Sequence, residues 1–144
     1  MQVATRETGI PAQFILAQAA HESAWGRREI RMPDGSPSHN LFGIKAGAGW
    51  TGKVAEITTT EYVNGQPRKV TARFRAYDSY EDAFRDYARL LKHNDRYAEV
   101  MRRGQTAEGF AQGLQKAGYA TDPAYADKLE KVINTTLRLQ RALM

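Results

Sequence analysis

The sequence predicts an α+β domain, mainly helical, with one β-hairpin set among the helices. Three observations predict it. Apolar residues recur at helical spacing in four main stretches, opened by Pro11, Ser79, Thr106 and Asp122. One run, residues 53–77, is rich in strand formers and is split by Asn64-Gly65. Between the first helix and that run, residues 26–52 carry Gly, Pro, Ser and Asn, and neither period holds. So long a loop in a small domain commonly builds a site.

Composition narrows the class. The 144 residues, 42% hydrophobic and 26% charged, fit one soluble domain, 1–144, with a real core. No apolar run approaches membrane-spanning length, so membrane insertion is not expected, and no secretory signal opens the chain. The absence of cysteine excludes disulfides and thiolate metal sites. His21, His39 and His93 lack metal-ligand spacing, so no metal and no other cofactor is expected. A net charge of +5 suits a polyanionic partner. The basic residues are dispersed and no phosphate loop, RNA-binding signature or zinc-finger spacing is present, so that partner is not expected to be nucleic acid.

The elements follow in order. Residues 2–8 read as helical and stop at Gly9. Pro11 suits the first turn of the next helix, which runs to about Ala24, with Gly26 placed to end it. After the loop, Val54 to Val63 and Val70 to Tyr77 form the hairpin. Alternation puts Ile57, Thr59 and Glu61 on one face of the first strand, and Val70, Ala72 and Phe74 on one face of the second. Ser79 caps a helix whose stripe is Tyr80, Ala83, Phe84, Tyr87, Leu90 and Leu91. A short helix spans about Ala98 to Arg102, and another runs from Thr106 to Gly118. Asp122 as N-cap and Pro123 as first residue open the last helix, whose buried face is Tyr125, Leu129, Val132, Ile133 and Leu137.

The chemistry centres on Glu22. Phe14, Ile15, Gln18 and Ala19 precede it at helical spacing, so it lies beside an apolar stripe near the negative end of the helix dipole. Trp25 adds an expected indole neighbour. These surroundings disfavour the ionised form and raise the pKa. A carboxylic acid kept protonated near neutral pH is what glycosidic bond cleavage requires of its general acid. Taken alone, Glu22 also reads as a solvated carboxylate at a helix end.

Five segments in sequence carry a more specific signal. They are Gln18 to Gly26 (QAAHESAWG), Asn40 to Lys45 (NLFGIK), Thr59 to Tyr62 (TTEY), Phe74 to Tyr77 (FRAY) and Gly118 to Pro123 (GYATDP). Together they resemble the bacterial endo-β-N-acetylglucosaminidases of glycoside hydrolase family 73, over about residues 4–135. The resemblance implies a lysozyme-like fold, with a helical lobe and a β-hairpin lobe at about 53–77 flanking a substrate groove. It implies hydrolysis of peptidoglycan glycan strands on the reducing side of N-acetylglucosamine. Glu22 matches the family's catalytic glutamate, Glu61 a second acidic residue on the hairpin, and Tyr119 a tyrosine lining the catalytic centre. The likeness is strongest to the flagellar rod-assembly branch. That branch implies a periplasmic enzyme exported by the flagellar machinery, a role in opening the cell wall, and contacts with rod proteins through a region this sequence lacks. A monomer is expected.

On this reading Glu22 protonates the glycosidic oxygen, and Glu61 either activates water or stabilises the oxocarbenium-like transition state. A hairpin hinges at its base, so Glu61 reaches the bond as the groove closes. Tyr119 orients water or the substrate's acetamido group. Trp25, Phe42, Trp50, Tyr62 and Tyr125 are candidate sugar-binding aromatics, with Asn40 in reach of an acetamido group. The alternatives are a lytic transglycosylase or muramidase on the same polymer, and a non-catalytic cell-wall-binding module.

Overall fold

In the computed structural model, residues 6–120 and 122–143 are described. Of the first expected helix, residues 6–8 are helical and residues 2–5 lie outside the described part. Gly9, at φ +73°, makes the turn into α1 (Ala12–Ser23). The hairpin strands β1 (Val54–Val63) and β2 (Gln66–Arg75) follow, then α2 (Tyr80–His93), a 3₁₀ turn (Asp95–Tyr97), α3 (Ala98–Arg103), α4 (Ala107–Lys116) and α5 (Tyr125–Ala142).

Helix α1 buries Phe14, Ile15, Ala17, Gln18 and Ala19, and packs on α5. Phe14 meets Phe110 of α4 with ring centroids 5.9 Å apart. Ile15, Tyr87, Phe110, Leu114, Leu129 and Ile133 complete a core shared by all the long helices. Burying each large apolar side chain contributes about 1.5–3 kcal/mol, so this shared core fixes α1 firmly.

The end of α1 differs from the glycine stop expected at Gly26. Ala24, at φ 52°, is the left-handed residue that closes the helix, and Trp25 (φ 60°) and Gly26 (φ 83°) continue in the same region. Ser23 holds this turn. Its buried hydroxyl donates to Ala19 O at 2.7 Å and accepts from Gly26 N at 3.0 Å, while Trp25 N donates to Ala20 O at 2.7 Å. Side-chain bonding thereby supports a conformation that non-glycine residues rarely adopt.

The strands pair antiparallel, from Val54 opposite Arg75 to Val63 opposite Gln66. Asn64 (φ 54°) and Gly65 (φ 78°) supply the two positive dihedrals of a type I′ turn. The expected faces are present: Ala55, Ile57, Thr59 and Glu61 turn inward, and Glu56, Thr58 and Thr60 are exposed. The hairpin base is tied to the loop by Ala46 N to Arg73 O, Arg75 N to Ile44 O and Tyr77 N to Ser38 O. It is tied to α2 by Asp86, which accepts from Tyr77 Oη at 2.5 Å and pairs with Arg75 at 2.9 Å.

Ser79 and Thr106 cap α2 and α4 through their side-chain oxygens. Tyr80, expected in the apolar stripe of α2, is instead exposed, and its hydroxyl donates to Glu29 at 2.8 Å. Asp122 accepts from Ala124 N at 2.9 Å, but α5 starts only at Tyr125, after a turn containing Pro123.

Candidate active site

Glu22 sits in the last turn of α1, where the long loop folds back over it. A methyl group added at Gly43 would lie 3.9 Å from Glu22 Oε2, and Gly43 itself has φ +66°. Glycine adopts that dihedral without the strain a side chain would bring, and the short distance puts the loop backbone beside the carboxyl. Gly43 also lines a groove of about 620 Å³. Its walls include Lys45, Thr60, Glu61 and Tyr62 on one side, and Leu90, Arg96 and Tyr119 on the other. The groove therefore runs between the hairpin and the helices, with the Glu22 carboxyl against its Gly43 wall.

Burial pushes the Glu22 pKa up, opposed in part by a hydrogen bond from Tyr125 Oη to Oε1 at 2.7 Å. The direction matches the expectation, but the neighbours differ. Trp25 is 55% exposed and lines a separate apolar hollow with Leu16, Leu41 and Phe84. The apolar surroundings of Glu22 come instead from tyrosines. Tyr119 and Tyr125 stack with ring centroids 6.2 Å apart, and Tyr87 lies beside Tyr119 at 6.4 Å.

Glu61 enters from β1. Its side chain is 41% exposed and pairs with Lys45 Nζ at 2.9 Å. Tyr62 shares the groove wall and is strongly exposed, so its ring is free to meet a ligand. Tyr119 also lines the groove, with its hydroxyl donated to Phe42 O at 2.5 Å. Burial raises its pKa, which keeps it a neutral donor.

Several expected ligand-binding residues are corrected by their contacts. Asn40 is buried with a fully used amide. Nδ2 donates to Ile44 O and Arg75 O, each at 2.9 Å, and Oδ1 accepts from Phe42 N and Ile44 N, each at 3.2 Å. An amide with both donor and both acceptor positions filled has nothing left for an acetamido group. Asn40 instead shapes the turn that carries Gly43 and ties it to the hairpin. Phe42 is fully buried, stacked on Tyr87 with centroids 4.2 Å apart and edge-on to Phe84, so it belongs to the core. Tyr125 is buried too, and it serves Glu22 rather than a sugar face. Trp50 lies outside the groove. Its Nε1 donates to Lys53 O at 2.8 Å and its ring lies under the Arg75 guanidinium.

Two residues near Glu22 were not anticipated as part of the site. Gln18 Nε2 donates to Tyr125 Oη at 3.2 Å, and the Tyr87 hydroxyl donates to Gln18 Oε1. The signal for Gln18 was present: a glutamine on an apolar helix face, one turn before Glu22. Nothing in the sequence distinguishes Tyr87 from any other core aromatic. Among the described residues, no three His, Cys, Asp or Glu side chains gather as a metal site would need.

A carboxyl whose pKa burial raises, beside a groove between a helical lobe and a hairpin lobe, has the arrangement of a glycosidase-type site. Residues 1–138 match the glucosaminidase family model, described as mannosyl-glycoprotein endo-beta-N-acetylglucosaminidase, and the chain belongs to this family of glycoside hydrolases. It is 55% identical over 132 residues to the peptidoglycan hydrolase FlgJ of Escherichia coli K12, covering 92% of this chain and 42% of that protein. The chain thus spans less than half the length of such relatives. A crystal structure of a peptidoglycan hydrolase mutant from Sphingomonas sp. A1 superposes with TM-score 0.88 at 55% identity, covering 97% of this chain and 90% of the other. The C-terminally truncated glycoside hydrolase domain of Salmonella typhimurium FlgJ does so with TM-score 0.77 at 52% identity, covering 95% and 90%. These neighbours place the fold among the lysozyme-like α+β hydrolases.

Proposed function

We propose that the chain hydrolyses β-1,4-glycosidic bonds in the glycan strands of peptidoglycan, at the N-acetylglucosaminyl linkage. The observation that carries this reading is the Glu22 carboxyl, buried enough to favour its protonated form and set against a groove wall. The names of the relatives, peptidoglycan hydrolases, support the choice of polymer. Glu22 protonates the glycosidic oxygen as the bond to the anomeric carbon breaks. Glu61, on the facing wall, either activates the attacking water or stabilises the positive charge that develops on the sugar. Closure of the hairpin brings it to the bond, and Lys45 must then release it. Tyr62 offers a ring to a sugar face. The net charge of +5 suits an anionic wall polymer.

The likeness to FlgJ extends the proposal. The domain works in the periplasm as a monomer and opens the wall for the flagellar rod, after export by the flagellar machinery. Contacts with rod proteins lie in segments outside this sequence. Among the described residues no helix is long and apolar enough to cross a membrane.

Digestion of purified peptidoglycan in ¹⁸O-water tests the reaction. The expected products end in reducing N-acetylglucosamine carrying the label. Unlabelled 1,6-anhydro sugars would instead establish a lytic transglycosylase, and reducing N-acetylmuramic acid a muramidase. On the same substrate, Glu61→Gln should lower turnover by about 10²-fold or more while glycan binding persists. If Tyr119→Phe proves the more damaging change, the second role passes from Glu61 to Tyr119 and the acetamido group.

A further inference from the structure

We propose that Tyr125, Gln18 and Tyr87 form a one-way hydrogen-bond relay that positions the Glu22 carboxyl, holding Oε1 as an acceptor and leaving Oε2 to carry the proton on the Gly43 side of the groove. The proposal rests on the reading of Glu22 as the acid.

The direction of the relay follows from counting donors. The Tyr125 hydroxyl has one proton and gives it to Glu22 Oε1 at 2.7 Å. Its oxygen accepts from Gln18 Nε2 at 3.2 Å, and Gln18 Oε1 accepts from the Tyr87 hydroxyl. A flipped amide would claim the Tyr125 proton for Gln18 and strip Glu22 of its donor. Gln18 and Tyr87 are fully buried and Tyr125 nearly so, where an unpaired polar group is costly, so each member holds the next in place. The members come from three helices: Gln18 and Glu22 from α1, Tyr87 from α2 and Tyr125 from α5. The relay thus sets the carboxyl relative to the whole helical lobe. With Oε1 engaged as acceptor, the acid proton resides on Oε2, the oxygen facing Gly43.

The titratable groups around the carboxyl are accounted for. Tyr87, Tyr119 and Tyr125 face it from α2, the loop before α5, and α5. All three have pKa values raised by burial and stay neutral at working pH. His21, on α1 itself, stands edge-on to the Tyr125 ring at 5.6 Å, with Lys128 and Asp122 near it, and burial lowers its pKa. On the hairpin side stands the Lys45–Glu61 pair. Tyr125's bond stabilises the Glu22 carboxylate, so its removal leaves the effect of burial unopposed and raises the Glu22 pKa.

The test compares pH profiles of kcat on peptidoglycan for wild type, Tyr125→Phe, Gln18→Met and Tyr87→Phe, alongside ¹³C NMR titration of the Glu22 carboxyl in glutamate-labelled protein. Activity falls at high pH as the acid loses its proton. In Tyr125→Phe that limb should move up by about one pH unit, with kcat lowered about tenfold and KM little changed. Gln18→Met should shift it less, and Tyr87→Phe least. The NMR titration should follow the same order. A merely structural role would lower activity or melting temperature and leave the scaled profiles superimposed with the carboxyl titration unmoved, and that result would overturn the relay. Should Tyr125→Phe fail to fold, Tyr87→Phe, which deletes one oxygen, decides by the same two readouts. Glu22→Gln separates the two levels. An active Glu22→Gln enzyme sinks the reading of Glu22, whereas an inactive one with unmoved profiles in the other variants sinks the relay alone.

Discussion

Glu61, which lines the groove, and Glu22, which lies behind its Gly43 wall, are held by opposite kinds of structure. Glu22 is set in a helical wall built from three packed helices and is hydrogen-bonded by a buried tyrosine. Glu61 stands on a two-stranded hairpin, more open to solvent, with an exposed lysine as its partner. On the proposed mechanism one wall tunes the acid, and the other carries a carboxylate that moves as the groove closes. The general acid needs a tuned environment, which a packed lobe provides. A group that meets the substrate on closure needs freedom, which a hairpin tied to the loop and α2 at its base and held beyond it by an exposed ion pair provides. Three substitutions test this contrast, in order of falling effect.

Glu22→Gln should cut turnover by about two to four orders of magnitude while the fold persists. It should also melt higher than wild type at neutral pH. The sign follows from burial, which raises the Glu22 pKa in the folded state. Its stabilising contribution is complete below the ordinary carboxylate range and is lost as pH rises through the raised folded value. The difference should therefore vanish in acid. Thermal melts across pH check it, and equal melting temperatures at all pH values would break the contrast between the walls.

Asn40→Ala acts on the joint between the walls. It removes an amide making four hydrogen bonds and leaves the buried carbonyl of Ile44 and the partly buried carbonyl of Arg75 without that donor. The expected cost is about 2–4 kcal/mol, read by urea unfolding. Activity should fall further than stability alone explains, because Gly43 and the hairpin base share this anchor. A loss below about 0.5 kcal/mol would show that the loop holds its shape without it.

Lys45→Ala should do least to stability. Its pair with Glu61 is solvent-exposed, and exposed pairs contribute about 0.2–1 kcal/mol. Unfolding in low and high salt measures it. A cost well above that range would make the hairpin wall as rigid as the helical one and remove the basis for closure.

What the sequence could reveal was local. The type I′ turn needs only Asn64-Gly65 between two strand runs, and the caps at Ser79 and Thr106 need only an oxygen three residues before a free N–H. The place of Glu22 at the end of an apolar helix follows from a period of 3.6, and the inward face of Glu61 from a period of 2. These features are set by residues within a turn or a strand of one another, so the sequence by itself determined them.

The surroundings of Glu22 were decided otherwise. Trp25 is its close neighbour in sequence, yet the left-handed turn at Ala24 and Trp25 carries the indole to another hollow. Tyr125, 103 positions away in the chain, supplies the hydrogen bond. Phe42, Tyr62 and Tyr125 are all aromatic residues beside suggestive motifs, and composition cannot tell a sugar platform from a core ring. Packing separates them: Phe42 lies under Tyr87, Tyr125 under Tyr119, and Tyr62 faces solvent. Asn40 was plausible as a ligand until its hydrogen-bonding positions were filled by backbone, three of them by Phe42 and Ile44 nearby and the fourth by Arg75 of the distant hairpin. Which groups surround a carboxyl, and which amides are already spent, depends on contacts between segments remote in the chain. Those contacts exist only once the core has closed, and so only the tertiary structure decided them.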